Sequence, residues 1–447
     1  MNKVTGFFTE LMRKYLPDPF VFAIVLTLLT MILAVVVQGK GPLLVMTDWG
    51  KGFWGLLAFT TQMAVILAMG YVLARAPLID RLLDRLIEHV HSPAAAIVLA
   101  TVVGGIASYI NWGFGLVLGG VVARKLATRV KGVHYPLIIA SAYSGFTLYG
   151  IGLSATIPIV ISTRGHALEA QMGTIPLSQT IFSWPMLTVG LVLLITLPLL
   201  NIWLLPKNPQ DVVEIDRTAL DAPVASPSLV HASHSAEGTI AQRLNDSRLL
   251  SAVIGILGLL YVVAYFVRGN PLDVNIINFI ILFVGILLLK TPANYVATLN
   301  EGIKAVSGVI LQYPFYAGLM AIMAGSGLVD TISRAFVGIA TPHTLPVLGI
   351  VSSFVINFFA PSAGGHWVVQ GPFMIEAAKQ LGAPVNQTAM AVMLGNAWND
   401  LVQPFWLLPA LALSRLSLKD IMGYTVVHMI WVGVVYIAAL SAWAHWI

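Results

Sequence analysis

"INFFAPSAGGHWVVQGPF" occupies residues 356–373, inside one of the most apolar stretches of this chain. It contains an Asn, a Ser, two adjacent glycines, a His, a Gln and two prolines. A lipid-facing helix must satisfy every backbone N–H and C=O within itself. Broken, polar backbone at membrane depth is tolerated only where protein or a water-filled cavity surrounds it. The stretch is therefore read as the turn of a re-entrant hairpin. The rest of the chain is read outward from it.

The 447 residues are 58% hydrophobic and only 10% charged, with mean hydropathy +0.86. Soluble domains carry about a quarter charged residues, so the expected class is an all-α polytopic membrane protein. Apolar runs of about 20 residues, enough to cross a bilayer as helices, recur throughout. The net charge of +5 belongs to loops. It points to membrane topology, with lipid as a partner and no nucleic acid. Cys is absent, which excludes disulfides and thiolate metal sites. No Walker-type phosphate loop is present, so any transport must run on gradients, and no cofactor is expected.

Nine spanning helices are expected, at about 18–37, 52–74, 135–161, 184–205, 248–267, 273–289, 302–327, 387–414 and 423–446. Segments 93–123 and 344–378 are too long for one span and are interrupted by Gly, Asn or Pro. Both are read as re-entrant hairpins. With that reading, 18 of the 24 Lys and Arg residues fall on the cytoplasmic side, as the positive-inside rule requires. Residues 1–17 are expected to form an interfacial helix, with the N-terminus cytoplasmic in a bacterial inner membrane. Residues 206–247 read as a cytoplasmic linker; His231 and His234 there have no further metal-ligand neighbours in sequence.

An internal repeat organises the spans. At an offset of 250, Gly52 meets Gly302, Gln62 meets Gln312, Ala74 meets Ala324, Leu78 meets Leu328 and Asp80 meets Asp330. "SYINWGFGLVLGG" parallels "SFVINFFAPSAGG", and Gly145 lies opposite Gly395. The first repeat is 18–205 and the second 268–447. The helix at 248–267 between them inverts the second half. Inverted repeats of discontinuous helices are the architecture of secondary transporters, with substrate bound near the midplane.

The strings "LPDPFVFAIVLTLLT", "INWGFGLV", "QYPFYAG", "GGHWVVQGPF", "QPFWLLPALA" and "DIMGY" resemble the bacterial short-chain fatty acid transporter family, over essentially the whole chain. The resemblance implies uptake of small monocarboxylates such as butyrate or acetoacetate. That family is similar to a wider ion-transporter superfamily. This likeness implies a homodimer with a fixed scaffold and an elevator-type transport domain. Here the transport domain would hold 93–123, 135–205, 344–378 and 387–446.

A dehydrated carboxylate must be met by donors or positive charge. Hairpin tips offer free N–H groups at helix N-termini, and glycines let backbone approach a ligand. Candidate substrate residues are Asn111, Gly145, Ser362, Gly364, Gly365, His366, Asn396 and Gln403. Candidate ion-coupling residues are Asn111, Asn357, Asn399 and Asp400, for H⁺ or a transported Na⁺; no other metal is expected. Asn111 and Asn357 are also readable as capping amides, and Ser362, Gly364 and Gly365 as a simple helix break. His366 is the one histidine placed in the membrane core, where an ionisable group is a functional candidate. Asn396, Asn399, Asp400 and Gln403 share one helical face, so they should line a cavity. Ser141, Ser144, Thr147 and Ser154 read more as interhelical hydrogen bonds. Trp112, Trp367, Phe405 and Trp406 are candidates for an apolar acyl pocket, and are equally readable as core packing or as the interfacial aromatic belt. Two alternatives stay open: a carrier of another small anion, such as a dicarboxylate or an amino-acid conjugate, and a membrane enzyme or channel. A Ser362–His366–Asp400 hydrolase lacks a nucleophile-elbow sequence.

Overall fold

The computed structural model describes residues 19–215 and 239–445, apart from 359, 404–405, 408–410, 412–413 and 415. The expected interfacial helix 1–17, His231, His234 and Phe405 lie outside the described residues. Among those described there are helices and no strands.

The first half comprises α1 (Pro19–Val36), α2 (Pro42–Gly52), α3 (Leu57–Ala74), α4 (Pro77–Glu88), α5 (Pro93–Ile110), α6 (Trp112–Arg129), α7 (Tyr135–Ser144), a 3₁₀ segment (Gly145–Ile151), α8 (Thr156–Ser162) and α9 (Trp184–Trp203). α10 (Arg248–Val267) follows. The second half comprises α11 (Val274–Leu289), α12 (Pro292–Ile303), α13 (Ser307–Ser326), α14 (Leu328–Ile339), α15 (Leu345–Ile356), α16 (Ala363–Leu381), α17 (Val385–Asp400) and α18 (Leu418–His445). The helix starts are written in the sequence. Pro42, Pro77, Pro93 and Pro292 sit in first turns, where a missing N–H costs nothing. Ser92, Ser247, Asp273 and Thr291 cap with side-chain oxygens.

Seven described helices are long and apolar enough to cross a membrane. Six coincide with expected spans; the seventh is α5, expected as a hairpin arm. α1, α11 and α15 are shorter apolar helices. α4 was not anticipated as a separate element. Its Leu83 and Ile87 are buried while Asp80, Arg81, Asp84 and Arg85 stay at the surface. That pattern suits a helix lying along the fold's edge.

Helices starting at Pro42, Leu57 and Tyr135 have counterparts starting at Pro292, Ser307 and Val385, each 250 residues on. The packing is reciprocal: α1 and α2 pack on α13, and α11 and α12 pack on α3. A Cβ on Gly52 would lie 2.2 Å from Ala321 Cβ, and one on Gly302 would lie 3.2 Å from Tyr71 Cβ. Tyr71 and Ala321 are themselves 250 apart.

α5 and α6 are joined through Asn111 alone and double back at once: a Cβ on Gly115 would sit 2.4 Å from Ser108 Cα. At the far end Gly132 lies beside Pro93, so both arms return to one end of the fold. α15 and α16 also run antiparallel. Ser353 pairs with His366 and Ser352 with Gln370. Bridging side chains hold this second pair, and α15 packs mainly on α17.

Candidate functional site

The four-residue stripe predicted near the end of α17 is buried and polar, with Asn396, Asn399 and Asp400 fully inaccessible. α17 ends at Asp400. Pro404 stands just beyond Gln403 in the sequence and disfavours helix there. Four polar groups without water must find partners in protein, and α15 supplies them. Asn357 Nδ2 donates to Asp400 Oδ1 at 2.7 Å and to Asn399 Oδ1 at 3.1 Å. Asn396 Nδ2 donates to Asn357 Oδ1, and Gln403 Nε2 donates to the Asn357 carbonyl at 2.9 Å. Asn399 Nδ2 reaches Phe354 O at 3.0 Å. Asn357 is the hub, because a primary amide donates and accepts at once.

His366 extends the network along α16. Ser353 Oγ gives its hydrogen to Val392 O at 2.7 Å. The Gln370 amide nitrogen donates to Ser352 at 2.9 Å, leaving its Oε1 toward the ring. Both neighbours of His366 Nε2 are thus acceptors, which assigns the hydrogen of a neutral ring to Nε2. Nδ1 then faces Asn396 Nδ2 at 3.5 Å. Protonation would make Nδ1 a second donor, with Asn357 Oδ1 at 3.4 Å. The first half contributes two tyrosines. The single Tyr149 hydroxyl hydrogen points to two acceptors, Asp400 Oδ2 at 2.5 Å and Asn396 Oδ1 at 2.7 Å, the carboxylate being the nearer. Tyr143 OH donates to Asp400 O at 2.5 Å. No ion pair to Asp400 occurs among the described residues.

Beside this network lies a cavity of 430 Å³ between the two helix-pair tips and α3 and α13. Trp112 and Gly113 come from the first tip, and Ser362, Ala363 and Gly364 from the second. Leu67, Leu116, Phe146 and Trp406 make much of the wall apolar, with Trp112 and Trp406 edge to face at 5.4 Å. The Tyr149 ring also lines it, so one side chain spans cavity and network. A second pocket, of 140 Å³, lies along the start of α3 and includes Phe59, Gln62, Arg164 and Trp367. Between the two, Phe59 stacks on Tyr313 at 5.5 Å and Tyr313 OH pairs with Ser362 Oγ at 2.7 Å. A Cβ on Gly364 would lie 2.6 Å from that phenol oxygen. The second tip therefore closes tightly on the stack.

The expected site residues thus separate into groups. Ser362 and Gly364 line the cavity. Asn357, His366, Asn396, Asn399, Asp400 and Gln403 form the network behind it. Asn111 caps α6, accepting from Phe114 N at 2.8 Å, and Ser154 Oγ ties the same tip by accepting from Trp112 N at 2.8 Å. Gly145 and Gly365 are packing positions, against Gly105 and the Tyr316 ring respectively. Ser362 and His366 have other partners, and no Ser–His–Asp chain forms. His366 is not the one buried membrane histidine: His428 in α18 is equally inaccessible and bonds Asn201 at 2.5 Å. Sequence reasoning missed Tyr71, Arg75, Tyr149 and Tyr313. Single tyrosines and a helix-end arginine carry no spacing signal, although Tyr313 stands next to Gln312, whose repeat position was noticed.

An all-helical membrane fold with a broken-helix polar centre and an adjoining apolar cavity defines a class of transport proteins. The family model for short-chain fatty acid transporters matches residues 1–442, and the chain belongs to that family. It is 38% identical over 442 residues to an Escherichia coli (strain K12) protein named as a short-chain fatty acid transporter, covering 99% of each chain. A Haemophilus influenzae protein of the same name is 37% identical over 449 residues, 98% of this chain and 99% of that one. The fold is similar to the Alcanivorax borkumensis YdaH transporter, with TM-score 0.64 at 15% identity over 96% of this chain and 99% of that one. It is also similar to Neisseria gonorrhoeae MtrF, described as an antimetabolite efflux pump, with TM-score 0.52 at 14% identity over 97% and 96%.

Proposed function

We propose that the protein is a secondary transporter of short-chain monocarboxylates, such as butyrate or acetoacetate, across the bacterial cytoplasmic membrane, driven by H⁺ or Na⁺. The observation that carries this reading is the 430 Å³ apolar cavity bounded by both tips and joined through Tyr149 to the buried Asp400. The acyl chain occupies the apolar wall. The coupling cation occupies the network, where a buried carboxylate has no fixed counter-charge among the described residues. In this reading 93–123 and 344–378 are opposed re-entrant hairpins of two inverted repeats. They move with α7–α9 and α17–α18 against the remaining helices of a homodimer. The Phe59–Tyr313–Ser362 contact is the barrier that parts when the second hairpin moves.

Labelled butyrate uptake into proteoliposomes, with Na⁺ and pH gradients imposed separately, tests the reading. Saturable uptake under one of them is expected; folded protein inert under both would overturn it. Chain length gives a sharper check. Each methylene buried is worth about 0.8 kcal/mol, or roughly fourfold in affinity. Competition should therefore strengthen stepwise from acetate to propionate to butyrate; a flat series would remove the acyl chain from the apolar wall. Dicarboxylates should compete poorly, because the lining holds a single cationic side chain among the described residues.

Tyr149→Phe keeps the ring in the cavity and removes the donor to Asp400. An unsatisfied buried acceptor costs about 1–3 kcal/mol. Gradient-driven uptake is expected to fall at least about tenfold with little change in butyrate KM. A raised KM at unchanged maximal rate would place Tyr149 with the substrate instead.

A further inference from the structure

We infer that Arg75 is the carboxylate-binding residue of this cavity, an inference that rests on the transport reading above. Arg75 follows α3 as its C-cap and, among the described residues, is the one cation in the cavity lining, with no Asp or Glu beside it there. Its Nε is shielded from water and has no hydrogen-bond partner. The guanidinium lies 5.3 Å from the centre of the Tyr71 ring, in cation–π range. The acids nearest along the chain are taken: Lys125 holds Asp80 at 2.5 Å and Asp84 at 2.7 Å. Among the described residues Arg75 forms no ion pair.

A half-buried guanidinium with an unmatched N–H, beside an apolar wall, is complementary to one ligand class: a carboxylate with a short hydrocarbon tail. The planar fork can grip both carboxylate oxygens. Leu67, Leu116 and Val117 then meet the first carbons of the chain. Trp112 lines the same cavity, and its indole N–H also lacks an acceptor among the described residues. The unmatched polar atoms of the lining are thus donors, as an anion requires. A charge placed merely to complement the α3 C-terminus would need only to be positive, which any cation satisfies.

The test compares wild type, Arg75→Gln and Arg75→Lys in proteoliposomes, with each variant's folding checked by thermal unfolding in detergent. Charge-assisted hydrogen bonds of this kind carry about a 10- to 100-fold effect on affinity. Arg75→Gln is expected to raise the butyrate KM by that factor at a near-normal maximal rate. Arg75→Lys should raise it several-fold, because the fork is lost while the charge remains. Butyrate should also stabilise the wild type against heat more than either variant. Wild-type KM in Arg75→Gln would overturn the inference. Should the Gln variant not fold, wild-type KM in Arg75→Lys would do the same. Absence of saturable uptake in the wild type itself would count against the transport reading, a result separable from both.

Discussion

Asp400→Asn is expected to abolish concentrative butyrate uptake while sparing exchange. Asp400 is fully buried, and its oxygens accept from Asn357 Nδ2 at 2.7 Å and Tyr149 OH at 2.5 Å. Those donors do not neutralise it, and no basic side chain among the described residues pairs with it. An uncompensated buried carboxylate costs several kcal/mol, and in the proposed coupling role a proton or a cation offsets that cost. A gradient across the membrane can supply either. Asparagine keeps the shape and removes the charge, mimicking a site that is permanently loaded. One of its two polar atoms meets a former donor as an NH₂, which the Tyr149 hydroxyl can accommodate by accepting. Without a coupling step, accumulation against a gradient should fall at least about tenfold, and counterflow of labelled for unlabelled butyrate should persist. Accumulation at the wild-type level by Asp400→Asn would remove Asp400 from the coupling site.

Gly145→Ala should fail in a different way. An added Cβ would sit 2.4 Å from Gly105 N, 2.8 Å from Gly105 Cα and 2.8 Å from Thr101 O. These are backbone atoms of α5 and cannot step aside as a side chain would. The same close approach recurs at Gly395, where an added Cβ would sit 2.4 Å from Ile350 O in α15. Overpacking of this kind costs about 1–3 kcal/mol and sometimes more. The expected result is a lower midpoint of thermal unfolding in detergent and a smaller yield of folded protein. The butyrate KM of the folded fraction should match the wild type. A selective rise in KM with normal stability would return Gly145 to the substrate site, where its place in the repeat first put it.

The contrast between these two positions shows how far residue type and spacing reach. Asn396, Asn399, Asp400 and Gln403 were legible because a polar stripe at helical spacing in an apolar chain must find partners. Asn357 and His366 were legible because broken polar backbone has no place in lipid. Gly145 was read as a substrate position and packs on Gly105 in the fold; a glycine that admits a ligand and one that admits a neighbouring helix look identical in sequence. Asn111 had both readings open, and the folded tip places its amide oxygen on Phe114 N.

By itself the sequence determined the class and the family; the 250-residue inverted repeat and the hairpins are readings of spacing and of broken polar stretches. Each depends on local hydropathy, on spacing or on matching strings, and these survive without coordinates. Only the tertiary structure decided that the polar stripe sits behind the cavity wall and that Tyr149 joins the two. It alone brought Arg75 into the lining while Lys125 occupies Asp80 and Asp84. The physical reason is distance along the chain: Tyr149 is 251 residues from Asp400, and no local pattern records which of many tyrosines will close that gap.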